Sequence, residues 1–356
     1  MKEGISVMGN EAGLRIEEML CQLADATRID GEIWRAAYTQ EDKIAKNILR
    51  EWIEDLGLEY REDAIGNVYG RLPGKEPGTV LTGSHLDTVK NGGKYDGALG
   101  VVTGVAALGY LKQSGFVPKY SLEVAGLMEE EGSRFASGCQ GSRAICGTLK
   151  DEDLEEVDRD GVTLREALFS AGYQPEALNS AKRDDIRAIV ELHIEQGPVL
   201  ESEQKQIGIV DNIVGIFNYE LTIQGNQNHA GTTSMPLRHD PVVAAAEFIT
   251  ESTRQMMAQA PSATLTYGML QVFPGMQNVI ADRVKLSIDM RDGSEEALLQ
   301  DEIILKRALA SIENKGFQTR LIQNHCLKSA KMDPKLIRVI ERHCEKKHLA
   351  YKHMNS

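Results

Sequence analysis

Apolar side chains recur at helical spacing through residues 11–56. Leu14, Ile16, Met19, Leu20 and Leu23 form one face, and Ile44, Ile48, Trp52, Ile53 and Leu56 another. That spacing predicts helix across the stretch. From Leu58 to Leu200 short apolar runs alternate with helical ones, which predicts a mainly parallel sheet covered by helices. Residues 79–89 and 122–128 read as strands, and 97–112 as a helix whose small residues allow close packing on the sheet. The pattern changes at Ile216. Residues 217–224 read as a strand, 241–259 as a helix, 264–273 and 284–290 as strands, 295–314 as a helix and 317–323 as a strand. This β-α-β-β-α-β order is the split, ferredoxin-like arrangement. The predicted fold is therefore α/β: a mainly parallel-sheet domain over 1–212 and 327–356, and an inserted βαββαβ domain over 213–326. Residues 332–347 form a helix that returns to the first domain.

Polar residues collect where the predicted strands end. The run Glu129-Glu130-Glu131-Gly132-Ser133-Arg134-Phe135 follows the strand at 122–128. Carboxylates at the lip of a sheet, before a glycine turn, suit a division between holding a cation and moving protons. The blander reading is a solvated acidic junction, since charge runs usually face water. Three further segments favour the first. Ser84-His85-Leu86-Asp87 ends a strand, Gly92-Gly93-Lys94-Tyr95-Asp96-Gly97 is a glycine-rich loop entering a helix, and Glu191-Leu192-His193 follows another strand. One such His is more often structural, because the ring fills many roles. Two His with several carboxylates and no nearby Cys describe a site for Zn, Mn, Co or Ni.

Composition narrows the partners. With 40 basic against 53 acidic residues the net charge is −13, which argues against nucleic acid or an anionic membrane. The five cysteines are odd in number and unpatterned, which suits reduced thiols and a cytoplasmic location. No stretch reaches the ~18 apolar residues of a membrane span, and the start lacks a leader-like apolar region.

In order along the chain, SHLDTV, GGKYDGALGV, EEEGSRF, ELHIEQGPVLE, NHAGTT and IDMRD resemble the M20 metal-dependent amidohydrolases, in the allantoate amidohydrolase and N-carbamoyl-L-amino acid hydrolase branch. The resemblance runs from about Leu14 to the C-terminus. It implies two divalent metal ions per subunit, Zn or Mn, with Co or Ni as further options. His85 and His193 would hold one metal, Asp96 would bridge to the second, and Glu131 would bind that second ion. Glu130 would be the general base, and Asp87 would orient the His85 imidazole. Members of the family continue for about fifty residues more, within the spread of domain sizes. That segment would bring a further His ligand, so the resemblance implies a C-terminally incomplete catalytic domain and an impaired second metal site.

The resemblance also assigns roles in the inserted domain, taken as lid and homodimer surface. His229 in Asn228-His229-Ala230-Gly231-Thr232-Thr233 would stabilise the oxyanion, although the family carries Pro where Ser234 stands here. Arg291 would grip the substrate carboxylate, and Asn278 and Gln196 would hydrogen-bond the substrate. As bare residues, His229 reads equally as a turn histidine, Arg291 as a surface ion-pair partner and Gln196 as a loop amide. The implied reaction is hydrolysis of a ureido C–N bond in a small carboxylate, releasing ammonia and carbon dioxide. Allantoate is the first expectation, an N-carbamoyl-L-amino acid the second, and an inactive dimeric binding protein the third.

Overall fold

A computed structural model of the chain describes the backbone of residues 2–356 and the side chains from residue 12 onward. The chain divides into two compact units, Met1–Ile194 and Glu195–Ser356.

The first unit opens with helix α1 (Lys2–Ala26) and helix α2 (Gln40–Asp55). The continuous helix expected over 11–56 is interrupted between them. Arg28–Ile29 and Glu32–Ile33 pair as a small antiparallel hairpin, with Asp30 at φ 50° and Gly31 at φ 86°. An Asp-Gly pair favours that left-handed turn over helix, so local turn chemistry overrides the apolar spacing. Thr39 then caps α2 by accepting from the backbone N–H of Asp42 at 3.4 Å.

The sheet is built from β1 (Glu59–Glu62), β2 (Val68–Leu72) and β3 (Glu76–His85). After helix α3 (Ala98–Gln113), β4 (Tyr120–Leu127) and β5 (Ile186–Val190) complete it. The order is β1-β2-β4-β3-β5. It is mixed, which corrects the mainly parallel expectation: β3 runs parallel to β4 and β5, but β2 is antiparallel to both β1 and β4. The cause is a tight turn between β1 and β2, where Asp63 Oδ1 accepts the N–H groups of Ile65 at 3.2 Å and Asn67 at 2.9 Å. A short turn permits only an antiparallel return. Leu20 and Leu23 of α1, Leu49 and Ile53 of α2, and Val101 and Val105 of α3 pack in one core with Val124 of β4.

The second unit opens on a single helical turn, Val199–Ser202, followed by β6 (Ile207–Ile213) and β7 (Gly215–Gln224). Helix α4 (Pro241–Gln259) follows, capped by Asp240, which accepts from Val242 N–H at 2.9 Å. The strand expected over 264–273 is two strands, β8 (Thr264–Thr266) and β9 (Leu270–Phe273), both paired with β10 (Arg283–Asp292). Between them Met269 N–H donates to Ser287 Oγ at 3.0 Å, so residues 267–269 bulge against two partner positions. Helix α5 (Glu295–Glu313) and β11 (Gln318–Leu327) complete a four-stranded antiparallel path, β8-β10-β7-β11. The order β-α-β-β-α-β is therefore present in this unit. Leu221 and Ile223 of β7 pack with Phe248 of α4 and Leu305 of α5.

Helix α6 (Pro334–Lys347) leads to β12 (Tyr351–Asn355), which pairs parallel with β6. Ala330–Lys331 pairs with the same strand, so both of these C-terminal segments join β6 within the second unit. Among the described residues no helix is long and apolar enough to cross a membrane.

One buried acid ties the first sheet together. Glu123 on β4 is fully buried and accepts from Arg71 Nη1 at 2.6 Å and Arg183 Nη1 at 2.5 Å. Removing one partner of a buried pair leaves uncompensated charge. Glu123→Ala is expected to lower stability by about 3 kcal/mol, read as a fall in the urea midpoint. A midpoint within error of the parent would show that the arginines find water instead.

Candidate metal centre

β3 and β4 lie side by side and parallel, with His85 opposite Leu127. The loops leaving them start from one edge of the sheet. β3 delivers His85, Leu86 and Asp87, and β4 delivers Glu129, Glu130 and Glu131. Asp96 lies just before α3, and His193 three residues beyond β5.

The structure gathers His85, Asp96 and His193, with one ligand atom from each lying within 4.8 Å of the others. His193 Nε2 is 3.2 Å and His85 Nε2 4.0 Å from Asp96 Oδ1. The opposite ring nitrogens are engaged: His85 Nδ1 is 3.0 Å from the Asp87 carbonyl, and His193 Nδ1 is 2.9 Å from the Ile194 carbonyl. A neutral imidazole donating there turns the Nε2 lone pair toward Asp96, the arrangement that metal-binding histidines require. Two imidazoles and a carboxylate fit a borderline divalent cation, so these residues suit the expected ion. Gly97 makes the approach possible. It stands at φ +61°, and a Cβ there would lie 2.5 Å from His85 Cε1 and from the His85 carbonyl.

Asp87 joins the two loops. Its carboxylate accepts the N–H groups of Glu130 at 3.2 Å and Glu131 at 3.1 Å, and its Oδ1 lies 3.6 Å from His85 Nδ1. Glu130 Oε2 stands 3.6 Å from His85 Nε2, beside the triad. Its side chain is 44% exposed, yet partial burial lifts its carboxyl above the ordinary range, against the pull of His85. Burial lifts Glu131 likewise. Glu131 has its backbone fixed by Asp87 but is not one of the three clustered donors among the described residues.

The remaining expected residues lie in the second unit. Asn228–His229 pairs with Val279–Ile280, and Ala230 N–H donates to the Asn278 carbonyl at 3.0 Å, so His229 and Asn278 are neighbours. Gly231 N–H donates to His229 Nδ1 at 3.1 Å, which leaves the proton of a neutral ring on Nε2. Arg291 on β10 is held by Asp289, Nε to Oδ1 at 2.7 Å and Nη2 to Oδ2 at 3.1 Å. Gln196 adopts a left-handed backbone, φ 52°.

Two supporting residues escaped the sequence reading. Arg35, 1% exposed, donates through Nε to the Leu86 carbonyl at 2.5 Å, and its N–H donates to Thr88 Oγ1 at 3.0 Å. Glu129 is fully buried, and its Oε1 accepts from Arg134 N–H at 2.9 Å and Phe135 N–H at 2.8 Å, closing the Gly132 turn. Burial raises Glu129 to about 7 against those two bonds. The signal for Arg35 was an Arg inside the otherwise unbroken run Ile33-Trp34-Arg35-Ala36-Ala37-Tyr38. Glu129 gave none beyond its two acidic neighbours.

Residues 81–323 match the profile of the peptidase family M20/M25/M40. The chain belongs to this family. It is 40% identical over 289 residues to an N-carbamoyl-L-amino-acid amidohydrolase of Paenarthrobacter aurescens, covering 80% of this chain and 70% of that protein. It is 42% identical over 274 residues to an allantoate amidohydrolase of Bacillus subtilis (strain 168), covering 76% and 66%. A crystal structure of a hydantoinase/carbamoylase-family amidase from Burkholderia multivorans superposes with a TM-score of 0.89 at 32% identity, covering 97% of this chain and 84% of that one. The M20 chain is a hydrolytic enzyme, of a family that generally depends on two metal ions.

Burial opposes a charge on His85, but the Asp87 and Glu130 carboxylates outweigh it and hold the ring's pKa up at about 9. A cation must displace that proton, so metal affinity should rise with pH up to about 9 and level off above it. Titration of the metal-stripped protein with Zn or Mn at several pH values measures this. Asp87→Asn should weaken binding about 10- to 100-fold above pH 9, where the His85 proton no longer competes. An affinity flat between pH 6 and 9 would remove His85 from the ligand set.

Proposed function

We propose that this M20 enzyme hydrolyses the C–N bond of a ureido group carried by a small carboxylate, with allantoate as substrate. The observation that carries the reading is the His85, Asp96 and His193 cluster with Glu130 3.6 Å from one of its ligand nitrogens. A divalent cation held by those three residues would acidify a water and polarise the ureido carbonyl, which is a poor electrophile because both nitrogens donate into it. Glu130 would take the proton of the attacking water at its carboxylate and return it to the leaving nitrogen. Its raised affinity for a proton suits both halves of that exchange. Asp87 keeps the base in place, because the Glu130 N–H bonds to its carboxylate.

His229 would present Nε2–H to the developing oxyanion, a donor that its Nδ1 contact with Gly231 leaves available. Arg291 would hold the substrate carboxylate. Asp289 accepts from one side of its guanidinium fork, so the Nη1 side remains for a second carboxylate. Gln196 and Asn278 would hydrogen-bond the substrate. The Asn228-His229-Ala230-Gly231-Thr232-Thr233 motif supports allantoate. The second reading is an N-carbamoyl-L-amino acid, favoured by the 40% identity to the Paenarthrobacter aurescens protein. Both would use the same groups, and parallel assays on the two substrates decide between them.

Glu130→Gln is expected to keep the metal content and lose about 10²- to 10⁴-fold in kcat, because an amide cannot carry the proton. Glu131→Gln should instead reduce the metal bound per chain, so elemental analysis alongside the assay separates the two roles. Wild-type turnover in Glu130→Gln would assign the base elsewhere. Arg291→Lys exchanges a planar fork for a point charge and should raise KM about 10- to 100-fold with little change in kcat. An unchanged KM would exclude Arg291 from substrate binding.

A further inference from the structure

The loop that presents His229 has little core of its own. Its ends meet where Asn226 N–H donates to the His239 carbonyl at 2.9 Å, and the large apolar side chains within it, Met235 and Leu237, are exposed. Polar contacts must therefore set its shape. Arg238 supplies two of them. Its Nη2 donates to the Ala230 carbonyl at 2.6 Å and its Nε to the Thr233 carbonyl at 3.0 Å, so one planar fork spans the turn that follows His229. Thr233 N–H closes the same turn on the His229 carbonyl at 3.2 Å. Ala230 is held from its other side too, because its N–H donates to the Asn278 carbonyl at 3.0 Å.

The Ala230 carbonyl and the Gly231 N–H belong to one peptide. Arg238 binds the carbonyl, and the N–H donates to His229 Nδ1 at 3.1 Å. A trans peptide holds the two groups in one plane, pointing in opposite directions, so anchoring the carbonyl aims the N–H at the ring. The cation also polarises the peptide it binds and strengthens the bond on its far side. Gly231 leaves the ring room for this contact, since a Cβ there would stand 3.2 Å from His229 Cε1. We infer that Arg238 is a positioning residue for His229. It keeps Nδ1 occupied as an acceptor, and a neutral ring then carries its proton on Nε2 and presents it in one direction. Without Arg238 the peptide is free to turn, and the proton can move to Nδ1.

The inference rests on the proposed oxyanion role of His229, and the test separates the two. In the zinc-loaded protein, kcat and KM for allantoate and N-carbamoyl-L-leucine are measured for Arg238→Met, Arg238→Lys, His229→Ala and the double variant of Arg238→Met with His229→Ala. Removing an oxyanion donor outright costs about 10²- to 10³-fold in kcat, and a misdirected one in Arg238→Met should cost about 10-fold, with KM, metal content and melting temperature near the parent. Lys keeps the charge but not the fork, so Arg238→Lys should lose about 3-fold, and it carries the test if Met lowers the melting temperature. On the His229→Ala background Arg238→Met should cost less than about 2-fold more, because residues acting as a unit are not additive. Ring-nitrogen NMR shifts of the parent, assigned by the signal missing from His229→Ala, should show Nδ1 unprotonated and Nε2 protonated, and Arg238→Met should mix the two tautomers. Parental kcat in the Arg238 variants, or an undiminished further loss on the His229→Ala background, overturns the positioning role and leaves the oxyanion role standing. His229→Ala at parental kcat overturns the oxyanion role and the inference with it.

Discussion

The arrangement of the centre depends on one carboxylate. Asp87 accepts two consecutive N–H groups, those of Glu130 and Glu131, and its carbonyl and carboxylate both face His85 Nδ1. Parallel pairing of β3 and β4 brings their ends to the same edge, but pairing stops there, and a sheet ladder does not fix the loops beyond its last rung. Asp87 supplies that fixing. It couples the ligand on one strand to the acids on the other, so the distance between His85 and Glu130 is set by short bonds rather than by loop packing.

Such a buried carboxylate must itself be balanced, and Arg35 does this from behind. Its backbone and guanidinium bind both sides of Asp87, at Leu86 and Thr88. Burial lowers its pKa to about 10, with Asp87 and Asp42 acting against that fall. A desolvated cation between two acids is stable only as a set, because losing any member strands the others. The hairpin that broke the expected first helix is what brings Arg35 here, since residues 34–38 run from its second strand into α2.

Much of this was legible in sequence because the relevant signals are local. His85, Asp96 and His193 each sit where a strand or glycine loop ends, and such positions are readable from apolar runs and turn residues. The helices α4 and α5 follow apolar spacing almost to the residue. The misses have non-local causes. The direction of β2 depends on a turn whose geometry comes from the Asp63 side chain. The bulge between β8 and β9 depends on Ser287, some twenty positions away. Arg35 acquires meaning only from what it faces, the Leu86 carbonyl and the Thr88 hydroxyl.

The electrostatics of the centre point the same way as its geometry. Glu129, Glu130 and Glu131 all have carboxyls raised by burial, and Asp87 adds repulsion to each of them. His85 meets this by holding a proton well above its usual range. Protein structure rarely gathers several acids in one partly desolvated cleft without a compensating charge, because each raises the cost of ionising the next. A divalent cation reverses the sign of every one of these effects: it favours carboxylate over carboxyl and neutral imidazole over imidazolium. The same residues that repel each other as an acid cluster would then act as ligands, base and support. The raised carboxyl pKa values mark a cleft whose repulsion a cation held by His85, Asp96 and His193 would relieve.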